Sequence, residues 1–66
     1  MKKTEITESL DSIDDYAGLI QRRVADLQED FDQIGARGQI EGVIEDCAYI
    51  IEIAESLLEA KHGKKP

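Results

Sequence analysis

The chain has 66 residues, with 8 lysines and arginines against 15 aspartates and glutamates, and a net charge of −7. This length limits it to one small domain, and the acidic balance disfavours binding to a phosphate backbone. Cys47 is the single cysteine, which excludes an intrachain disulfide, and no cysteine–histidine cluster indicates a structural metal. Because a lone core of this size is marginally stable, we expect self-association to supply the missing stability.

The start of the chain does not resemble a signal peptide. Lys2 and Lys3 are followed at once by acidic residues, with no apolar h-region. No run approaches the roughly 20 apolar residues that a membrane-spanning helix needs. A single cysteine also fits a reducing compartment. The sequence therefore predicts a soluble cytoplasmic protein that does not enter a membrane.

The first predicted element is a helix over about residues 7–34. Nine apolar residues recur at alternating spacings of four and three: Ile6, Leu10, Ile13, Ala17, Ile20, Val24, Leu27, Phe31 and Ile34. This heptad predicts an amphipathic helix with a coiled-coil seam. Thr4 or Thr7 is the expected N-cap, and Gly35 is expected to end the helix in the left-handed conformation.

A turn over 35–38 and a second helix over about 39–62 follow. The same heptad continues in this helix through Ile40, Ile44, Cys47, Ile51, Ala54 and Leu58. A third apolar position per repeat, at Val43, Ile50 and Leu57, makes this face wider than a two-stranded seam requires. Gly42 is a weak point, worth about 1 kcal/mol relative to alanine inside a helix.

Two helices of similar length with a short turn predict an all-α fold, a two-helix antiparallel hairpin over 1–66 with flexible basic ends at 1–3 and 63–66. Burying the third apolar position of the second helix requires further helices, so we expect pairing into a four-helix bundle. The partner is expected to be a second copy, as a homodimer, or another helical protein, as a heteromer. The expected association interface comprises Ile6, Leu10, Ile13, Ile20, Val24, Leu27, Phe31, Val43, Ile44, Cys47, Ile50, Ile51, Leu57 and Leu58. A long bent helix in an extended coiled coil is disfavoured by three glycines within residues 35–42.

Several polar residues and the single cysteine are possible sites by residue type, but their positions predict no chemistry. Glu59 and His62 have the Glu-x-x-His spacing of di-iron bundles, but they lie outside the seam, so we expect surface capping rather than metal ligation. Cys47 is expected to be a buried small residue, because its acidic neighbours would not activate a thiolate. We expect Arg22 and Arg23 to pair with Asp26, or Arg23 to bridge to a neighbouring helix. No catalytic residue, cofactor or metal is predicted.

Two other features are candidate binding surfaces. The off-seam residues Tyr16, Leu19, Tyr49 and Ile53 either flank the bundle interior or form a patch that docks a partner. An antiparallel hairpin would also bring five lysines to one end of the molecule: Lys2, Lys3, Lys61, Lys64 and Lys65. These lysines are expected to be solubilising, with contact to nucleic acid or an acidic partner as the alternative.

The function most consistent with these features is a non-enzymatic protein–protein interaction module, such as an adaptor, regulatory subunit, inhibitor or small chaperone. One alternative is an acidic phage- or plasmid-type antagonist of a basic nucleic-acid-binding surface, because residues 4–60 hold 15 acids and only three arginines. A second alternative is a nucleic-acid-binding hairpin that uses the lysine-rich end. The run from Ile44 to Ile53, with the length and layout of the chain, resembles small co-chaperones of type III secretion needle subunits. That resemblance covers the second helix only and implies a heteromer.

Overall fold

A computed structural model describes residues 2–62 of the chain. It contains two α-helices of 27 residues each, α1 (Lys3–Glu29) and α2 (Ala36–His62). They pack against each other along their length and are joined by a turn over 30–35, so the predicted all-α hairpin is confirmed. The Cα atoms of the hairpin span 49 × 22 × 12 Å, so it is one helix thick.

The first helix begins earlier than its predicted start near residue 7. Lys2 occupies the N-cap position, and a carboxylate oxygen of Glu5 accepts a hydrogen bond of 3.1 Å from the Lys2 backbone N–H. Glu5 also places a negative charge at the positive end of the helix dipole. The expected cap at Thr4 or Thr7 is therefore wrong, because both threonines lie within α1.

The same helix ends at Glu29, five residues before the predicted end at residue 34. The side-chain amide of Gln33 donates to the backbone carbonyls of Asp26 and Asp30, at 3.1 and 2.9 Å. The Asp30 carboxylate accepts from the backbone N–H of Asp32 at 3.1 Å. These local hydrogen bonds satisfy groups at the helix end and compete with continued helix.

Gly35 does not have the predicted left-handed conformation, because its φ lies outside that region. It precedes α2, and its carbonyl accepts from the Gln39 N–H at 3.0 Å in the first turn. The second helix thus begins at Ala36, three residues before the predicted start. Phe31 and Ile34 lie in the turn instead of continuing the heptad, and both are exposed.

The seam between the helices uses a different phase of the heptad from the predicted one. On α1 the half-buried residues include Ile6, Ser9, Ile13, Tyr16, Ile20, Arg23 and Leu27, spaced alternately by three and four. On α2 they include Gln39, Val43, Ile50, Ile53 and Leu57, with Asp46 buried. The residues expected to face away from α1, at Val43, Ile50 and Leu57, are therefore the ones packed against it.

The rotation of the seam leaves the other apolar line of each helix in solvent. Leu10 and Val24 are exposed on α1, and Ile44, Ile51 and Leu58 are exposed on α2, where Ile44 is 64% and Ile51 is 56% accessible. Among residues 2–62, only Ala36 and Asp46 count as buried. A single hairpin therefore leaves most of its heptad uncovered.

Neither helix within residues 2–62 combines the length and the apolar character that crossing a membrane requires.

Candidate interaction surface

Most of the exposed apolar residues of the two helices lie on one side of the hairpin, here called the apolar face, whereas Leu19 and Tyr49 are exposed outside it. The apolar face comprises Leu10, Val24, Ile40, Ile44, Cys47, Ile51 and Leu58. Leu10 and Leu58 line the same groove, which fixes the two helical stripes to a common side. The remaining members follow by heptad spacing along each helix. The apolar face thus runs along the length of both helices.

The groove that Leu10 and Leu58 share lies at the end of the hairpin away from the turn, here called the open end. It encloses about 550 Å³ and is lined by Ile6, Leu10, Leu57, Leu58, Ala60 and Lys61. At the other end, Phe31 is 64% accessible and Ile34 is fully exposed. The molecule therefore has an apolar recess at one end and exposed apolar side chains at the other.

Charge is concentrated on the opposite side of the hairpin, here called the polar face. Leu19, Arg22, Arg23, Asp26 and Gln39 line a small recess there. Helical spacing places further acids on this side: Glu8, Asp15, Glu45, Glu52 and Glu59. The apolar face carries few charges, and Lys61 is the charged residue that lines its groove. Burying the apolar face therefore desolvates few charges.

A polar cluster links the helices near the turn. The Nε of Arg23 lies 3.5 Å from the Oδ2 of buried Asp46, at a geometry that makes an ion pair without a hydrogen bond. Arg23 also donates from Nη1 to the Oε1 of Gln39 at 3.5 Å. The prediction that Arg23 bridges to a neighbouring helix is confirmed by its contact with Asp46.

The expected pairs of Arg22 and Arg23 with Asp26 are absent from the ion pairs within residues 2–62. Asp26 instead accepts from the side-chain amide of Gln39 at 3.1 Å. Arg23 contacts α2 instead, because a positive charge there stabilises the buried carboxylate of Asp46.

Gly42 leaves space for the guanidinium of Arg23, a role that its low helix propensity does not indicate. A Cβ at this position would lie 2.5–2.7 Å from the Cζ, Nη1 and Nε atoms of Arg23. The guanidinium therefore lies directly against the α2 backbone at Gly42, one turn before Asp46. A side chain at position 42 would displace Arg23 from its ion pair.

Replacing Gly42 by alanine is expected to lower the free energy of unfolding by about 2 kcal/mol. Alanine adds about 1 kcal/mol of helix propensity, but displacing Arg23 from Asp46 costs about 3 kcal/mol. In an Arg23→Ala background the same substitution is expected to stabilise the protein by about 1 kcal/mol. Urea denaturation of the four variants measures this reversal; an equal effect in both backgrounds would contradict the displacement.

The four residues of the candidate partner patch, Tyr16, Leu19, Tyr49 and Ile53, differ in their exposure. Tyr16 and Tyr49 stack with ring centroids 5.2 Å apart and an interplanar angle of 22°. Tyr16 and Ile53 are half-buried in the seam, whereas Leu19 is exposed on the polar face. Tyr49 joins the stack from α2 while remaining 45% accessible. Two of the four residues are therefore half-buried and two are exposed.

The remaining candidate residues are a cysteine, a possible metal-ligand pair and the terminal lysines. Cys47 is exposed on the apolar face, so its expected burial is wrong for a single chain. Glu59 and His62 are exposed, and the described part of the chain holds no group of three or more potential metal ligands. Lys2, Lys3 and Lys61 share the open end, whereas the expected contributions of Lys64 and Lys65 lie outside the described residues.

No protein-family model matches the chain, and comparisons with curated proteins and with solved structures also gave no match.

Proposed function

We propose that the protein is a non-enzymatic interaction module that acts by packing its apolar face against further helices, as in a four-helix bundle. The observation that supports this most directly is the exposure of Ile44, Cys47, Ile51 and Leu58 along α2, beside Leu10 and Val24 of α1. This assignment covers an adaptor, a regulatory subunit, an inhibitor or a small chaperone.

The stability of a small domain gives the physical reason. Stable domains are built from at least two packed layers, and this hairpin provides one layer 12 Å thick. None of the large side chains within residues 2–62 is fully buried. Covering each exposed isoleucine or leucine contributes about 1.5–3 kcal/mol, so a second layer supplies the core that one chain lacks.

Replacing Ile51 by glutamate is expected to abolish association, because it places a charge on the apolar face midway along α2. Leu19→Glu adds the same charge on the polar face, where Leu19 is also exposed, and is the matched control. Light scattering across a concentration series measures the mass of each variant. We expect the control to retain the wild-type mass while Ile51→Glu has the mass of a single chain.

The same pair of variants tests binding to a different protein. A partner captured from native extract should be lost with Ile51→Glu and retained with Leu19→Glu. Equal behaviour of the two variants in both measurements would contradict the proposal, as would a wild-type chain that is a stable, fully helical monomer and captures nothing.

A further inference from the structure

We infer that the occupant of the apolar face is a second copy of this chain, stacked face to face with its turn over the open end of the first. The inference rests on the proposed function, and it adds the identity of the partner and its direction. A two-fold axis perpendicular to the long axis relates the copies, so each contact occurs twice. Three properties of the hairpin support this arrangement: its area, its charge and the shapes of its ends.

The size of the hairpin is compatible with a stable dimer interface. Its Cα atoms span 49 by 22 Å, a projected rectangle of about 1,000 Å², which leaves room for the roughly 800 Å² that each partner buries in a standard interface. Two layers with Cα spans of 12 by 22 Å stack into a nearly square cross-section, as expected of four helices. The acidic polar faces then lie outermost, so the net charge of the two copies stays in solvent.

The charges at the two ends favour opposite directions of the copies. The turn end carries three acids and one arginine: Glu29, Asp30, Asp32 and Arg37. The open end carries three lysines and two acids: Lys2, Lys3, Lys61, Glu5 and Glu59. Stacking a turn on an open end pairs a net negative charge with a net positive one, whereas stacking turn on turn brings like charges together.

The shapes of the ends agree with the same direction. Phe31 is exposed at the turn, and the groove beside Leu10 and Leu58 lies at the opposite end of the molecule. Reversing one copy about the middle of the hairpin brings the turn that holds Phe31 over the open end that holds the groove of the other copy. In the proposed dimer Phe31 of each copy fills the groove of the other, because the arrangement is symmetric.

Disulfide trapping tests both the partner and its direction. Two chains are prepared on a Cys47→Ser background, one with Ile34→Cys at the turn and one with Lys61→Cys at the open end. After mixing and mild oxidation, non-reducing electrophoresis and mass spectrometry measure the three possible cross-links. We expect the mixed Ile34→Cys/Lys61→Cys link to exceed either link between identical chains by about tenfold, because only the mixed pair lies close together in this arrangement.

Light scattering of the wild-type chain should give twice its mass of 7.4 kDa. Phe31→Ser is expected to weaken the dimer at least about tenfold, because two phenylalanines lose their contact with the groove. The matched control is Leu19→Ser on the polar face, which should leave the affinity unchanged.

Different results separate this inference from the proposed function. A dimer that cross-links mainly between identical positions, or that tolerates Phe31→Ser, overturns the direction but leaves the interaction module intact. A chain that is monomeric alone, yet binds another protein in a manner lost with Ile51→Glu, overturns the second copy as occupant and supports the proposed function. A stable monomer that binds nothing overturns both.

Discussion

Replacing Arg23 by methionine is expected to lower the free energy of unfolding by about 3 kcal/mol, because it leaves the carboxylate of Asp46 buried without a counter-charge. Asp46 is only 6% accessible. The value is at the low end for a broken buried pair, since the Arg23 side chain is 32% accessible and water already screens part of the interaction. Urea denaturation followed by far-ultraviolet circular dichroism, at one fixed protein concentration, measures the change.

Arg22→Met is the matched control, because Arg22 is an adjacent exposed arginine and carries the same charge. Its effect should stay within about 0.5 kcal/mol, as for most surface substitutions. A double variant, Arg23→Met with Asp46→Leu, should recover most of the lost stability, since an apolar pair can replace a buried ion pair. Equal losses for Arg22→Met and Arg23→Met would contradict a stabilising role for the interhelical pair.

The proposed dimer predicts that the melting temperature of the wild-type chain rises by about 5 °C for each tenfold increase in protein concentration, because such a dimer couples folding to association. A tenfold change contributes about 1.4 kcal/mol, and two such chains unfold with an entropy of roughly 0.28 kcal/mol/K. Thermal denaturation over a hundredfold concentration range measures this dependence.

Ile51→Glu provides the control for this dependence. Its melting temperature should be low and independent of concentration, because a glutamate on the apolar face prevents the second layer from forming. A wild-type melting temperature that does not change with concentration would show that one hairpin is stable by itself. That result would contradict the coupling between folding and association.

The existence of the two helices could be predicted from the sequence because their apolar periodicity is long and regular. The ends could not, because they depend on side-chain hydrogen bonds that the periodicity does not report. Ile34 continues the heptad without interruption, yet Gln33 and Asp30 end the helix before it by bonding to nearby backbone groups. An aspartate followed three residues later by glutamine, just before Gly35, is the local signal that indicates this turn.

The phase of the seam could not be predicted from the apolar pattern either. Ile6, Ile13, Ile20 and Leu27 belong to both possible phases. The apolar pattern favours Leu10 over Ser9 and Val24 over Arg23, which is the phase that the structure does not use. The structure selects the phase that brings Arg23 to Asp46 and Tyr16 to Tyr49. Tyr16 lies 13 residues before Glu29, where α1 ends, and Tyr49 lies 13 residues after Ala36, where α2 begins. This equal distance from the turn is a signal that the apolar pattern does not contain.

The stacked tyrosines also give the hairpin an intrinsic optical reporter. The sequence has no tryptophan, so Tyr16 and Tyr49 are its dominant near-ultraviolet chromophores. Two rings held 5.2 Å apart are expected to couple electronically and to give a near-ultraviolet dichroic band that is lost when the helices separate. Because both rings belong to one chain and lie away from the apolar face, this band follows closure of the hairpin, whereas light scattering follows the number of chains.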